Sequence, residues 1–400
     1  MLRSKFRVEK CNKALSKHNP DFMLDNFVEA EVKSVLWPLY VAQCLSLAPK
    51  YSMRYGLITS NSHKFNAFLC LIAIGVLSAW LYYVMDYWNH CTGLLAAAVS
   101  VYAASLTITF IFNSTITSTK SNNNAYLIIS LQRILKRFKL SKADARYVTA
   151  VNYVYVIAMI IFNVMQFACR WDDSIGIFIL KIFTQFIYVS FDCNIIICIR
   201  MINMLGNRIE AWLTELYCVF HKSDRGNIES DYSPLETVTR DYDQLIDILI
   251  IYCQVFKHTI FLMVVTSFFQ VLVNVQSMIL VSNSVIRERH NYLAVKVWSR
   301  SDALAPVVWL KNITLLTLLS MEAENVHLQM KNTQVVCILL SVKVPDDHFL
   351  DLCCLLRRQS QQAELWRGGR GPLPLDATLP PRFLAVLATY IVAILQFHFL

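Results

Sequence analysis

FNAFLCLIAIGVLSAWLYYV, residues 65–84, runs for twenty residues without one charge. At about 1.5 Å per residue a helix of that length spans roughly 30 Å, the thickness of a bilayer's hydrocarbon core, so the stretch predicts a membrane-spanning helix. Six further apolar runs follow, at approximately 92–112, 147–168, 174–199, 258–282, 303–321 and 383–400. Lys311 and Asn312 interrupt the sixth, and the seventh is uncharged after Arg382. An earlier run, Val35 to Leu47, is broken by Pro38, is too short to span, and follows a long charged segment. It reads as an interfacial helix and not as a signal peptide.

Composition agrees with a membrane class. Of 400 residues, 56% are hydrophobic and 16% charged, with a mean hydropathy of +0.44, against about 25% charged in an ordinary soluble domain. The fold class expected is all-α and polytopic, with seven transmembrane helices. Twelve cysteines are scattered without a CxxC pair, so they read as small apolar residues of helices and indicate neither a zinc site nor a disulfide framework. No cofactor or metal is called for.

Charge sets the orientation. Ten Lys and Arg precede or include Lys64, and the 114–146 loop carries seven: Lys120, Arg133, Lys136, Arg137, Lys139, Lys142 and Arg146. The intervening loops 85–91 and 169–173 carry none and one, Arg170. By the positive-inside rule the N-terminus is cytoplasmic and, with seven spans, the C-terminus is extracellular. The 283–302 loop dissents, with Arg287, Arg289, Lys296 and Arg300 on the side expected outside. The net charge of +9 is thereby explained by cytoplasmic loops, and no nucleic-acid partner is implied. A G-protein-coupled receptor has the opposite orientation, and no DRY-like or NPxxY-like stretch is present at the matching helix ends.

The loops carry helical pattern of their own. In 122–140 (NNNAYLIISLQRILKRFKL), asparagines suited to an N-cap precede Leu127, Ile128, Leu131, Ile134, Leu135 and Phe138 at helical spacing, opposite Arg133, Lys136, Arg137 and Lys139. Such a helix can bind calmodulin or anionic lipid, or pack beneath the membrane domain, and packing is the simpler expectation. Residues 201–257 and 322–365 show similar pattern, so helices are expected to continue into the cytoplasm. The organisation expected is a cytoplasmic N-terminal segment with an interfacial helix at 1–64, helices one to six with their extensions at 65–321, a helical linker at 322–382, and a last spanning helix at 383–400.

That last helix carries the most specific signal. Asp376 or Thr378 suits an N-cap, Pro380-Pro381 opens the helix, and the stretch Thr389-Tyr390-Ile391-Val392-Ala393-Ile394-Leu395-Gln396-Phe397 follows. The nine residues match, position by position, the signature of the insect gustatory receptors: TY, five hydrophobic residues, then QF near the C-terminus. With seven spans, about 400 residues and the preceding Pro374-Leu375-Asp376, the chain resembles that family, most closely after Leu373. Leu365-Trp366-Arg367-Gly368-Gly369-Arg370-Gly371 departs from it, being richer in Arg and Gly.

The resemblance implies a ligand-gated cation channel in the plasma membrane of a sensory neuron dendrite. It implies four subunits, identical or mixed with other gustatory receptors, around a pore lined by the seventh helix. Gln396 and Phe397 then fall at the gate, with Thr389 and Tyr390 about two turns deeper. Independently of any family, an amide such as Gln396 needs a water-filled lumen or a partner helix when it lies in hydrocarbon, and a ring of Phe397 can gate by dewetting. The resemblance also implies a pocket for a small-molecule tastant among the outer halves of the first six helices. Aromatic and amide side chains at that depth are Trp80, Tyr83, Tyr102, Asn163, Gln166, Gln185, Tyr188, Gln270 and Asn274, each of which ordinary helix packing explains as well. Asp192 and Lys181 in the fourth run stand out because intramembrane charge is costly. Sugar-sensing members carry an acidic residue after TY; Ile391 here leans toward the divergent group associated with bitter or plant-derived compounds.

Other classes fit less well. Nine dispersed histidines and the absence of HExxH, GxSxG or a Gly-Lys phosphate loop argue against an enzyme, and no matched halves suggest a transporter. An insect odorant-receptor-type channel shares the layout, and the TY…QF motif is what favours the gustatory reading.

Overall fold

The computed structural model describes residues 27–46, 49–54, 56–89, 93–119, 121–138, 141–168, 175–223, 233–287, 305–343 and 375–399. Residues 344–374 of the expected 322–382 linker, the Arg/Gly-rich stretch 365–371 among them, lie outside the described residues. Within them the chain is helical, with one two-stranded hairpin. In chain order the elements are α1 (Ala30–Leu45), β1 (Ser52–Arg54), β2 (Leu57–Thr59), α2 (His63–Asn89), α3 (Gly93–Thr119), α4 (Ser121–Arg137), α5 (Lys142–Ala168), α6 (Ile175–Ser223), α7 (Ser233–Arg287), α8 (Ala305–Lys343) and α9 (Leu379–Phe399).

The described residues of each of the seven apolar runs fall within one helix, in the order α2, α3, α5, α6, α7, α8 and α9. By length and composition, five described segments are able to cross a membrane: Lys64–Tyr82, Lys142–Ala168, Gln185–Cys218, Thr237–Gln276 and Leu379–Gln396. The second and sixth runs are helical without being among these five. The chain is thus an all-helical protein compatible with multiple membrane passes. Helices α6, α7 and α8 have 49, 55 and 39 residues, about 75, 80 and 60 Å, so each outruns a hydrocarbon core of roughly 30 Å.

Two cores hold the helices. The larger joins α1 and α4 to α6, α7 and α8 around Leu36, Trp212, Tyr242, Tyr252 and Phe256, all buried. Trp212 is fully buried, donates from Nε1 to the Val238 carbonyl at 2.7 Å, and stacks on Tyr242 with ring centroids 4.6 Å apart. The smaller core joins α2 and α3 to α6 and α7 around Val76, Trp80, Tyr102, Leu106, Phe110 and Ile187.

Local chemistry explains the element ends. The hairpin pairs Ser52 with Thr59 and Arg54 with Leu57, and Gly56 takes φ 77° at its turn, a conformation other residues resist. A side chain there would also meet the Phe27 ring, which lies 3.3 Å from the position of an added Cβ. At the start of α9, Asp376 Oδ1 accepts from the Thr378 N–H at 3.0 Å and from its hydroxyl at 2.5 Å. Pro380 and Pro381 then occupy the first turn, where no N–H is needed. Pro38 does not break the 35–47 run as expected: helix α1 continues through it, and Asn152 donates to the Val35 carbonyl in the turn before it at 2.8 Å.

Helix α4 begins at Ser121, so Asn122–Asn124 sit inside it and do not cap it. Ser121 instead accepts from the Asn61 N–H at 2.9 Å. Leu127, Ile128, Leu131, Ile134 and Leu135 are buried as their spacing predicted. The basic side is engaged by the chain's own acids: Arg137 meets Asp241 at 2.8 Å and Glu215 at 3.3 Å, and Lys136 meets Glu29 at 3.4 Å. This helix is therefore packed against α7 by its apolar stripe and held by ion pairs on its basic side.

Candidate functional site

The aromatic residues singled out by sequence meet in the smaller core. Trp80 of α2 is 3% exposed and donates from Nε1 to Thr107 Oγ1 of α3 at 3.1 Å. Its ring stands edge-on to Tyr188 of α6 at 6.1 Å and 87°, and the Tyr102 hydroxyl donates to the Tyr188 hydroxyl at 3.3 Å. Three helices are thereby tied by one aromatic group whose polar tips are satisfied, as buried Tyr and Trp require. The Tyr83 side chain lies outside the described residues. One turn along α3 from Tyr102, a narrow cavity opens between α3, α6 and α7, lined by Leu106, Thr109, Phe110, Asn113, Ile187, Ser190, Phe191, Asn194, Ile195 and Thr259.

The amides gather elsewhere, around a charge pair. Lys311 Nζ of α8 lies 2.7 and 2.9 Å from the two carboxylate oxygens of Asp192 on α6. Asn163 of α5 donates to Asp192 Oδ2 at 3.3 Å and to its own helix at the Met159 carbonyl, and Gln185 donates to Asn163 Oδ1 at 2.6 Å. The Lys311 ammonium also sits 4.8 Å from the centre of the Phe162 ring. Asp192 is almost wholly buried and Lys311 keeps 20% of its side chain exposed. The cluster is electrically neutral, and both Asp192 oxygens accept bonds, which is the condition for burying a charge.

The remaining predicted residues separate. Gln270 of α7 accepts from Asn312 of α8 at 2.7 Å. Gln166 is buried on α5 and Asn274 half-buried on α7; neither joins the two clusters by a described hydrogen bond. The Lys181 side chain lies outside the described residues. Sequence reasoning thus named Asp192 and Gln270 and missed their partners, Lys311 for Asp192 and Asn312 for Gln270, as well as the Phe162 ring beside Lys311. The available signal was complementarity: a carboxylate in one apolar run and an ammonium in another each need a counter-charge.

Helix α9 presents two unlike faces. Leu379, Phe383 and Leu387 are buried, and Phe383 and Tyr390 stand edge-on to Phe268 of α7 at 6.3 and 5.3 Å. Ala385, Thr389, Val392 and Gln396 are exposed. At about 100° per residue, Ala385, Thr389 and Gln396 fall within about 40° of one another and diametrically opposite Phe383 and Leu387. The polar stripe therefore faces away from the subunit. Thr389 satisfies its own hydroxyl by donating to the Ala385 carbonyl at 3.0 Å, and Tyr390 is half exposed. The Phe397 side chain lies outside the described residues.

No protein-family model matches the chain, and no curated protein matches it. The fold defines a class, a helical protein with several helices apolar enough to cross a membrane.

Proposed function

We propose that the chain is a chemosensory receptor acting as a ligand-gated cation channel of the gustatory-receptor kind. In this reading seven helices cross the plasma membrane with the N-terminus cytoplasmic. Four copies surround a pore lined by α9, and a small non-volatile molecule, such as a plant-derived bitter compound, opens it. The carrying observation is the stripe of Ala385, Thr389 and Gln396 directed away from Phe383 and Leu387. An exposed amide on an otherwise apolar helix is costly against lipid, and copies arranged about an axis give it water or a neighbouring amide. Small Ala385 on the same stripe leaves room for close approach, and Phe397, one residue beyond Gln396, supplies an apolar ring able to close the path by dewetting.

The ligand side of the reading draws on the group of Trp80, Tyr102 and Tyr188, and separately on the amides Asn163 and Gln185. The direct test is cysteine accessibility along α9, read against wild-type background. Gln396→Cys reacts with a water-borne, charged thiol reagent in assembled protein, whereas Leu387→Cys does not. Equal, slow reaction at both positions contradicts a lumen on that face.

A further inference from the structure

Helix α3 carries a polar residue at every fourth position, Ser105, Thr109, Asn113 and Thr117, and all four are buried. Their spacing places them on one face, which looks into the bundle. Thr109 Oγ1 is satisfied twice, by the Ser105 carbonyl at 2.7 Å and by Thr266 of α7 at 3.2 Å. Asn113 is not: its Nδ2 reaches Ser190 Oγ of α6 at 3.4 Å, while its Oδ1 has no partner and is shut off from solvent. That side chain, 4% exposed, lines the cavity between α3, α6 and α7. Ser190 and Asn194 line it from α6 and Thr259 from α7, with Phe110 beside them.

We propose that this cavity is a water-binding site whose anchoring acceptor is Asn113 Oδ1. An unmatched buried acceptor costs about 1–3 kcal/mol, and a water donating to it while bonding the facing hydroxyl and amide groups removes that penalty. The cavity has room for about one water molecule; its walls are mainly apolar, and Asn113, Ser190, Asn194 and Thr259 among them carry the polar groups from which a bound water draws its two to four partners. A monovalent cation fits less well, because no carboxylate lines the cavity and an uncompensated charge is far more costly to bury than a neutral dipole. The water joins α3, α6 and α7 beside the direct Thr109–Thr266 bond and the 3.4 Å contact from Asn113 to Ser190. The α3 face thus has an exchangeable partner in the middle of the bundle.

Hydroxyl-radical footprinting by brief X-ray radiolysis of the full chain in lipid nanodiscs tests the site, because bound water generates radicals in place. Phe110, 5% exposed, is expected to be oxidised several-fold faster than Trp212, which is fully buried and intrinsically the more reactive ring. Asn113→Leu is expected to abolish that difference, and Thr259→Val, which keeps the shape, to reduce it. Replacing sodium by choline in the buffer is expected to change nothing. Oxidation of Phe110 no faster than of Trp212 in the wild-type chain overturns the proposal without recourse to any variant. A sodium-dependent rate overturns it in favour of a cation.

Discussion

Lys311 of α8 lies 2.7 Å from Asp192 of α6, joining two charges 119 residues apart in the chain. Both occupy helices rich in apolar residues, so each is the other's main compensation. Asp192→Asn alone leaves the ammonium without its counter-charge and is expected to lower stability by about 3 kcal/mol, near the low end for a broken buried pair because Lys311 is partly exposed. The double change Asp192→Asn with Lys311→Met is expected to recover most of the loss. Thermal unfolding of the solubilised protein reads both, and a double variant no better than the single one contradicts the pairing.

Trp212→Ala removes a fully buried indole, its bond to the Val238 carbonyl and its stacking on Tyr242. A loss of about 3–5 kcal/mol is expected, with Trp212→Phe milder because the ring contact survives. Equilibrium unfolding in detergent distinguishes the two.

Lys50, between α1 and the hairpin, is buried with no hydrogen-bond partner for its Nζ, which lies 4.1 Å from the centre of the Phe256 ring. Burial lowers its pKa from 10.5 to about 8, the nearby Cys198 opposing the shift weakly. Between those two values the unfolded chain binds the proton more than the folded one does, so stability rises as pH increases through that window, by about 1.4 kcal/mol per unit at most. Below the lower value both states hold the proton and the dependence vanishes. Lys50→Met is expected to flatten the wild-type rise in melting temperature between those limits.

Two sequons, Asn113-Ser114-Thr115 and Asn312-Ile313-Thr314, have their asparagines buried, at 4% and 3% exposure. Neither is expected to carry a glycan, so glycosidase treatment leaves the mobility of the chain unchanged at both sites. A shift that disappears in Asn113→Gln contradicts the place of Asn113 inside the bundle.

Helix positions were legible because hydrophobic length and period report directly on local structure: all seven runs became parts of helices, and the α4 apolar stripe was buried at each named residue within it. Neighbour choice was not legible, since nothing local in the sequence around Asp192 states that α8 will lie beside it. The hairpin was missed because its strands are three residues long, below the length at which alternation becomes visible. The bond from Asn152 to the Val35 carbonyl of α1, 117 residues away, was equally out of reach of the local sequence. The two faces of α9 were half legible: the period placed Thr389 and Gln396 on one stripe, and only packing on Phe268 decided that the stripe faces outward.

The central claim, a cation pathway lined by the exposed stripe of α9, is tested by whole-cell recording. Cells express this chain alone at the surface, are challenged with sugars and plant alkaloids and glycosides, and have G-protein signalling blocked. The account predicts a ligand-evoked cation current whose gating or conductance changes in Gln396→Ala and in Phe397→Ala. A current through the assembled protein that both substitutions leave untouched, or a response that vanishes when G-protein signalling is blocked, contradicts it.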